Sequence, residues 1–188
     1  MMHQLTRVTG DNFEGVDESS LMMDPNSAQV KTTADASLPT GWINVISKNS
    51  GKCLDMRCGP LATSQTVPAQ QWACLPNPAQ TNQHFQFVPV NGGYEIKIRN
   101  SGLALQVRGG NSAVKGDFLE QWPFEAQPYQ TWLVTATPDG YYTISPNNSK
   151  ASCMDVSGIS KNNGAPVQQW SCNGGDNQKW RFVLVPNQ

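Results

Sequence analysis

The chain repeats itself three times, and a repeat of this length admits few folds. Trp72, Trp122 and Trp170 recur at intervals of 50 and 48 residues. A second aromatic series, Phe85, Trp132 and Trp180, recurs at 47 and 48, each two residues after a glutamine: Gln83 in QHF, Gln130 in QTW and Gln178 in QKW. A third series opens each unit, with Asp55 in CLDM, Gln106 in ALQV and Asp155 in CMDV. Three series on one period mean three copies of one supersecondary unit, which bury their apolar faces only by packing together.

Each unit reads as strands. Alternation of apolar and polar residues marks INVIS from Ile43, YEIKIR from Tyr94 and YYTIS from Tyr141 at the unit starts. It marks FQFVPV from Phe85, WLVTAT from Trp132 and WRFVLV from Trp180 at the ends. Every second side chain of a strand shares a face, so Tyr94, Ile96 and Ile98 point inward, as do Phe85 and Phe87, Trp132 and Val134, and Trp180, Phe182 and Leu184. Polar turns follow the first strands, KNSGK at Lys48, RNSG at Arg99 and NNSK at Asn147, and NGG at Asn91 and PDG at Pro138 divide the units. With 16 glycines, 13 prolines and no long helix-period segment, the chain is expected to be all-β. Three units of about four short strands, about 41–90, 91–138 and 139–188, close into a three-fold barrel capped by hairpins.

Residues 1–40 stand apart. Asp11, Glu14, Asp17, Glu18, Asp24 and Asp35 face only Arg7 and Lys31, and the segment has no cysteine, no tryptophan and no repeat motif before Gly41. It reads as an acidic extension, either irregular or a docking arm for a protein partner that offers Leu21, Met22 and Met23 to a groove. Its first residues, MMHQLTRVTGDNFEG, lack the apolar stretch of a secretory signal.

With QxW near the end of the second and third units, QHF in its place in the first, and CLD or CMD near the start of two of them, residues 41–188 resemble the ricin B-type lectin family, carbohydrate-binding modules of β-trefoil fold. The segment CMDVSG followed by NNGAPVQQWSCNGGDNQKWRF runs close to the family pattern throughout. The resemblance implies a sugar-binding protein without catalysis, directed at galactose, N-acetylgalactosamine or a related polysaccharide residue such as that of xylan.

The residues support that implication on their own chemistry. A sugar offers vicinal hydroxyls on one edge and C–H groups on one face, so a binder needs a charged acceptor and a flat platform. Asp155 can accept two hydroxyls, and charge-assisted bonds are about twice as strong as neutral ones. Trp170 offers the platform. Asn177 can donate and accept. The resemblance gives these three the same roles and lets Gln168 line the site; the same positions in the first unit are Asp55, Gln70, Trp72 and Asn82. Gln83, Phe85, Gln130, Trp132, Gln178 and Trp180, of the QxW series, read as structural. An Asp and a Trp could equally serve a hairpin and a core, but Asp, Trp and Asn recur together in two units, and Asp and Asn depart together from the other. In that second unit Gln106, Glu120 and Tyr129 stand at the positions of Asp155, Gln168 and Asn177, Ala104 and Phe124 stand at the cysteines, and only Trp122 remains. The second site is expected to be dead or much weakened.

Matching places in two units also pair Cys53 with Cys74 and Cys153 with Cys172. Each disulfide contributes roughly 3 kcal/mol by loop entropy and implies an oxidising compartment, hence secretion or surface display. Cys58 is left as a free thiol, an intermolecular link or a competitor for Cys53 or Cys74. Charged residues make up 14% of the chain and the net charge is −1, which offers no field for nucleic acid or an anionic membrane surface. No apolar run reaches the ~18 residues of a membrane span. With His3 and His84 as the only histidines, and no GxSxG, HExxH, phosphate-binding loop or paired-cysteine zinc spacing, the chain reads as no enzyme and needs no cofactor or metal.

Overall fold

The computed structural model describes residues 38–76, 78–110 and 115–186. The acidic extension read over 1–40, with its docking residues Leu21, Met22 and Met23, falls outside the described residues except at 38–40. Twelve strands follow in chain order: β1 (Ile43–Ser47), β2 (Cys53–Met56), β3 (Ala69–Trp72), β4 (Phe85–Val90), β5 (Gly93–Ile98), β6 (Ala104–Val107), β7 (Leu119–Trp122), β8 (Thr131–Ala136), β9 (Tyr142–Pro146), β10 (Ser152–Val156), β11 (Val167–Ser171) and β12 (Trp180–Leu184). Six of them close a barrel by antiparallel pairing in the order β1, β4, β5, β8, β9, β12 and back to β1. The other six form three hairpins, β2/β3, β6/β7 and β10/β11. Isolated bridges Pro68↔Glu120, Gln70↔Pro166 and Phe118↔Gln168 join the hairpins into a triangular cap. This is a β-trefoil.

The alternating strands form because their inward side chains meet in one core. Ile43, Val45, Phe85, Ile96, Ile98, Trp132, Ile144 and Trp180 are fully buried, and Leu54, Leu105 and Met154 bring the hairpins into the same cluster. Trp132 and Trp180 also hold cap to barrel, their indole N–H groups donating to the Leu105 and Met154 carbonyls at 2.9 and 3.1 Å. Phe85, their counterpart in the first unit, has no such donor. The NGG turn is a hairpin loop between Val90 and Gly93, with Gly92 at φ 86°. Gly93 serves packing, since a Cβ there would collide with the Trp132 carbonyl across the β5/β8 seam.

One inward assignment is corrected. Leu184 is 56% exposed, whereas Phe182 packs on Phe87 and stacks on Tyr142 with ring centroids 4.7 Å apart. β9 begins at Tyr142, opposite Trp180, so β12 beyond that point has β1 on one side and no strand on the other.

A cyclic interlock sets the cap and was not anticipated from the sequence. The middle residue of QQW, EQW and QQW, Gln71, Gln121 and Gln169, is fully buried and pairs with the loop of a neighbouring unit. Gln71 exchanges backbone bonds with Gly164 and Ala165, Gln121 with Thr66 and Val67, and Gln169 with Gly116 and Asp117, at 2.8–3.1 Å. The amide side chains reach the same loops: Gln71 donates to the Ser160 and Asn162 carbonyls, Gln121 to those of Ala62 and Ser64, and Gln169 to the Asp117 carboxylate. Each unit therefore completes the rim of the next.

Candidate functional site

The cap hairpins position the predicted residues. Register pairs Asp55 with Gln70 in β2/β3 and Asp155 with Gln168 in β10/β11, which places each carboxylate beside its glutamine across the ladder. The short 3₁₀ turns Thr81–Gln83 and Asp176–Gln178 then swing an Asn-Gln pair onto the same carboxylate. In the third unit Gln168 Nε2 donates to Asp155 Oδ1 at 3.0 Å, and Asn177 Nδ2 and Gln178 Nε2 donate to Oδ2 at 2.7 and 2.9 Å. The first unit repeats this with Gln70, Asn82 and Gln83 around Asp55, each at 2.9 Å. The Asp, Gln and Asn of each predicted set thus meet at one carboxylate, and Trp72 or Trp170 lines the same pocket.

The arrangement changes two details of the expected chemistry. A carboxylate has about four acceptor positions, and three are filled from within, so one remains on Oδ1; a sugar hydroxyl reaching Oδ2 has to displace an amide. Asn177 donates its second N–H to the Val156 carbonyl, and Asn82 likewise to that of Met56, so neither keeps an N–H for a ligand; Asn177 has its oxygen left, whereas the Asn82 oxygen is buried without a hydrogen-bond partner. The QxW glutamines do more than hold backbone. Gln83 and Gln178 donate to the Ala73 and Ser171 carbonyls and accept from the Leu75 and Asn173 N–H groups, but their other N–H grips the site aspartate. Their recurrence in the sequence was visible; their target was not.

The aspartates are 3–4% exposed. Burial pushes both carboxyls above their ordinary pKa, and the surrounding amides only partly oppose it. Trp72 and Trp170 lie at the surface beside them, 39% and 40% exposed, as a platform requires. Trp72 faces Gly164 of the third unit and Trp170 faces Gly116 of the second, where the glycines leave the ring edges open; both take positive φ, 81° and 91°. The first pocket, about 450 Å³, is lined by Asp55, Arg57, Cys58, Gln70, Trp72 and Asn82, among others, and the second, about 340 Å³, by Asp155, Ile159, Gln168, Trp170 and Asn177 among others. Disulfides Cys53–Cys74 and Cys153–Cys172 brace the two hairpins, and Cys58 is a free, exposed thiol.

The second unit carries the same network with its charge moved. Gln106 pairs with Glu120 in register, its amide donating to Glu120 Oε1 at 3.0 Å and its carbonyl accepting from Gln130 Nε2 at 3.0 Å. The carboxylate has crossed the hairpin, and Arg108 Nε neutralises it at 3.0 Å. Trp122 is half-buried, and the loop residue that corresponds to Gly116 and Gly164 is Thr66, at φ 66°. Among the described residues no three His, Cys, Asp or Glu side chains gather as a metal site, and no helix is long and apolar enough to cross a membrane.

A sequence profile for the ricin-type β-trefoil lectin domain-like family matches residues 81–170 and 151–188. The chain belongs to this family. Solved structures agree. A designed three-fold symmetric protein, ThreeFoil, is 32% identical, with a TM-score of 0.69 over 76% of this chain and 98% of its own. The exo-β-1,3-galactanase of Clostridium thermocellum is 34% identical with a TM-score of 0.70, covering 79% of this chain, which spans 31% of that enzyme. The C-half of an earthworm R-type lectin, solved with GalNAc, shares the fold at 21% identity and a TM-score of 0.61, over 76% of this chain and 97% of its own. A search of curated proteins finds no match to this chain. The ricin-type lectin-like family suggests carbohydrate binding.

Proposed function

We propose that this chain is a non-enzymatic lectin that takes a galactose-, N-acetylgalactosamine- or related polysaccharide residue, such as that of xylan, in two shallow sites, one in the first unit and one in the third. The observation that carries this reading is the repeated association of a buried carboxylate, clamped by three amides, with a half-exposed tryptophan. The carboxylate's open position accepts a hydroxyl, in the third unit the Asn177 oxygen accepts another, and the indole stacks on the C–H face. The neighbours support the sugar class: one is a galactanase and one was solved with GalNAc. Single shallow sites bind weakly, so two per chain gain avidity on a polymeric glycan. The two disulfides favour a secreted or surface-displayed protein.

A glycan array with the intact protein, beside an Asp55→Ala, Asp155→Ala double variant whose fold is verified by circular dichroism, tests the reading. Terminal galactosides or xylan should be bound by the former and lost in the latter. Binding that survives in the double variant would remove both aspartates from the site.

A further inference from the structure

Two residues after each site position the three units diverge, with Arg57, Arg108 and Ser157. Arg108 has a counter-ion, the Glu120 carboxylate. Arg57 does not. Its Nε donates to the neutral Gln70 Oε1 at 3.2 Å, and among the described residues no carboxylate lies within ion-pair distance of it. A guanidinium has five N–H donors, so four point elsewhere, and the residue is exposed on the wall of the pocket that holds Asp55, Gln70, Trp72 and Asn82. The third-unit pocket has Ser157, Gly158 and Ile159 on that side and no cation in its lining.

We propose that the first-unit site selects a sugar bearing an anionic substituent, a carboxylate or a sulfate, and that Arg57 is the residue that reads it, while the third-unit site takes a neutral sugar. The proposal rests on the lectin reading above and names the ligand class of one of its sites. A planar fork of donors matches the paired oxygens of an oxyanion better than any neutral hydroxyl does. Asp55 does not forbid such a ligand, because its charge is wrapped by three amides on the far side of Gln70 from the guanidinium. Gln70 links the two, accepting from Arg57 and donating to Asp55, so an acidic sugar that engages both ends spans one continuous hydrogen-bonded row. A chain with one acidic and one neutral site fits a heteropolysaccharide in which both residue types occur.

The full nitrogen-labelled protein separates the two sites, since the indole N–H resonances of Trp72 and Trp170 report them individually. Galactose, galacturonic acid and galactose 6-sulfate are titrated into the wild type, Arg57→Gln and Ser157→Arg. At low salt the Trp72 signal should report one or both acidic sugars binding about fivefold tighter than galactose, a modest factor because the arginine is exposed. The factor should shrink towards one as salt is added and in Arg57→Gln, while Trp170 should gain a preference for the acidic sugars in Ser157→Arg. The two acidic probes tell carboxylate from sulfate. A Trp72 signal that responds to galactose as well as or better than both acidic sugars overturns the proposal and leaves the lectin reading standing. No response at either tryptophan to any of the three overturns both.

Discussion

The second unit suggests a transplant that tests the network physically. Its Gln106–Glu120 pair occupies the same register as Asp55–Gln70, and Arg57 Nε already sits 3.2 Å from the Gln70 oxygen, as Arg108 Nε sits 3.0 Å from Glu120. In Asp55→Gln, the donors of Gln70, Asn82 and Gln83 lose a carboxylate and meet an amide that can accept on one side only. At least one buried N–H is left without an acceptor, at about 1–3 kcal/mol, offset in part by removing a buried charge. In Gln70→Glu alone, the new carboxylate faces Asp55 with no N–H between them, a like-charge contact that forces one of the two to take up a proton. Together the two changes restore a donor opposite each acceptor and give the relocated charge Arg57 as its partner. The double variant should therefore be more stable than the sum of the singles predicts by about 2 kcal/mol. Equilibrium unfolding in urea of all four proteins, disulfides intact, measures the cycle. The double variant should also fold and yet lose sugar at the first site. Additivity within about 0.5 kcal/mol would refute the claim that the hairpin network needs only a matched donor and acceptor, wherever the charge lies.

Two further outcomes follow from named residues. Because burial raises the carboxyls of Asp55 and Asp155, binding that needs them ionised should fall on acidification while the pH is still above the ordinary aspartate range. Raised pKa values give the folded state a contribution that is full at low pH and lost as pH rises through them, so these two groups do not cause acid unfolding. Asp139, held well below its ordinary value by Lys48, contributes stability that is lost only as pH falls below that range. Retention on immobilised sugar should thus fail before the circular dichroism signal does; coincident loss would count against it. Thr66→Gly should raise stability by about 0.5–1 kcal/mol, since a β-branched residue at φ 66° costs about 1–3 kcal/mol and glycine returns part of that as unfolded-state entropy. An unchanged or lower urea midpoint would show that no strain is held there.

The barrel was legible in the sequence because its signals are local and redundant. Phe85, Trp132 and Trp180 mark fully buried positions at one period, and alternation on either side sets the faces. Leu184 failed because alternation reports which way a side chain points and says nothing of whether a strand flanks it. The site's Asp, Trp and Asn were legible for the same reason as the barrel. The clamp was not, since Gln83 and Gln178 lie 28 and 23 residues from the carboxylates they grip. Gln71, Gln121 and Gln169 did recur in plain view in QQW, EQW and QQW, but a buried glutamine with a partner in another unit leaves no mark that separates it from a surface one. Gln106 and Glu120 looked like two independent losses until register showed them to be one exchange.

That exchange separates what the fold requires from what a ligand requires. Gln130 in the second unit is satisfied by the carbonyl oxygen of Gln106, while Gln83 and Gln178 reach an aspartate oxygen in the other two. The QxW glutamine therefore needs an acceptor at this position and does not need a charge. A buried carboxylate with no cation bonded to it is the costlier way to supply one, as the raised pKa values of Asp55 and Asp155 record. Both hairpins would close without it. The units that keep the charge are also the two in which glycine leaves the tryptophan edge open, Gly164 at Trp72 and Gly116 at Trp170, whereas the unit that moved its charge has Thr66 there. Since those glycines belong to neighbouring units, no single hairpin can account for the association. A ligand that needs both a charged acceptor and an open aromatic face can, and that is the physical case for reading the first and third units as binding sites and the second as a structural one.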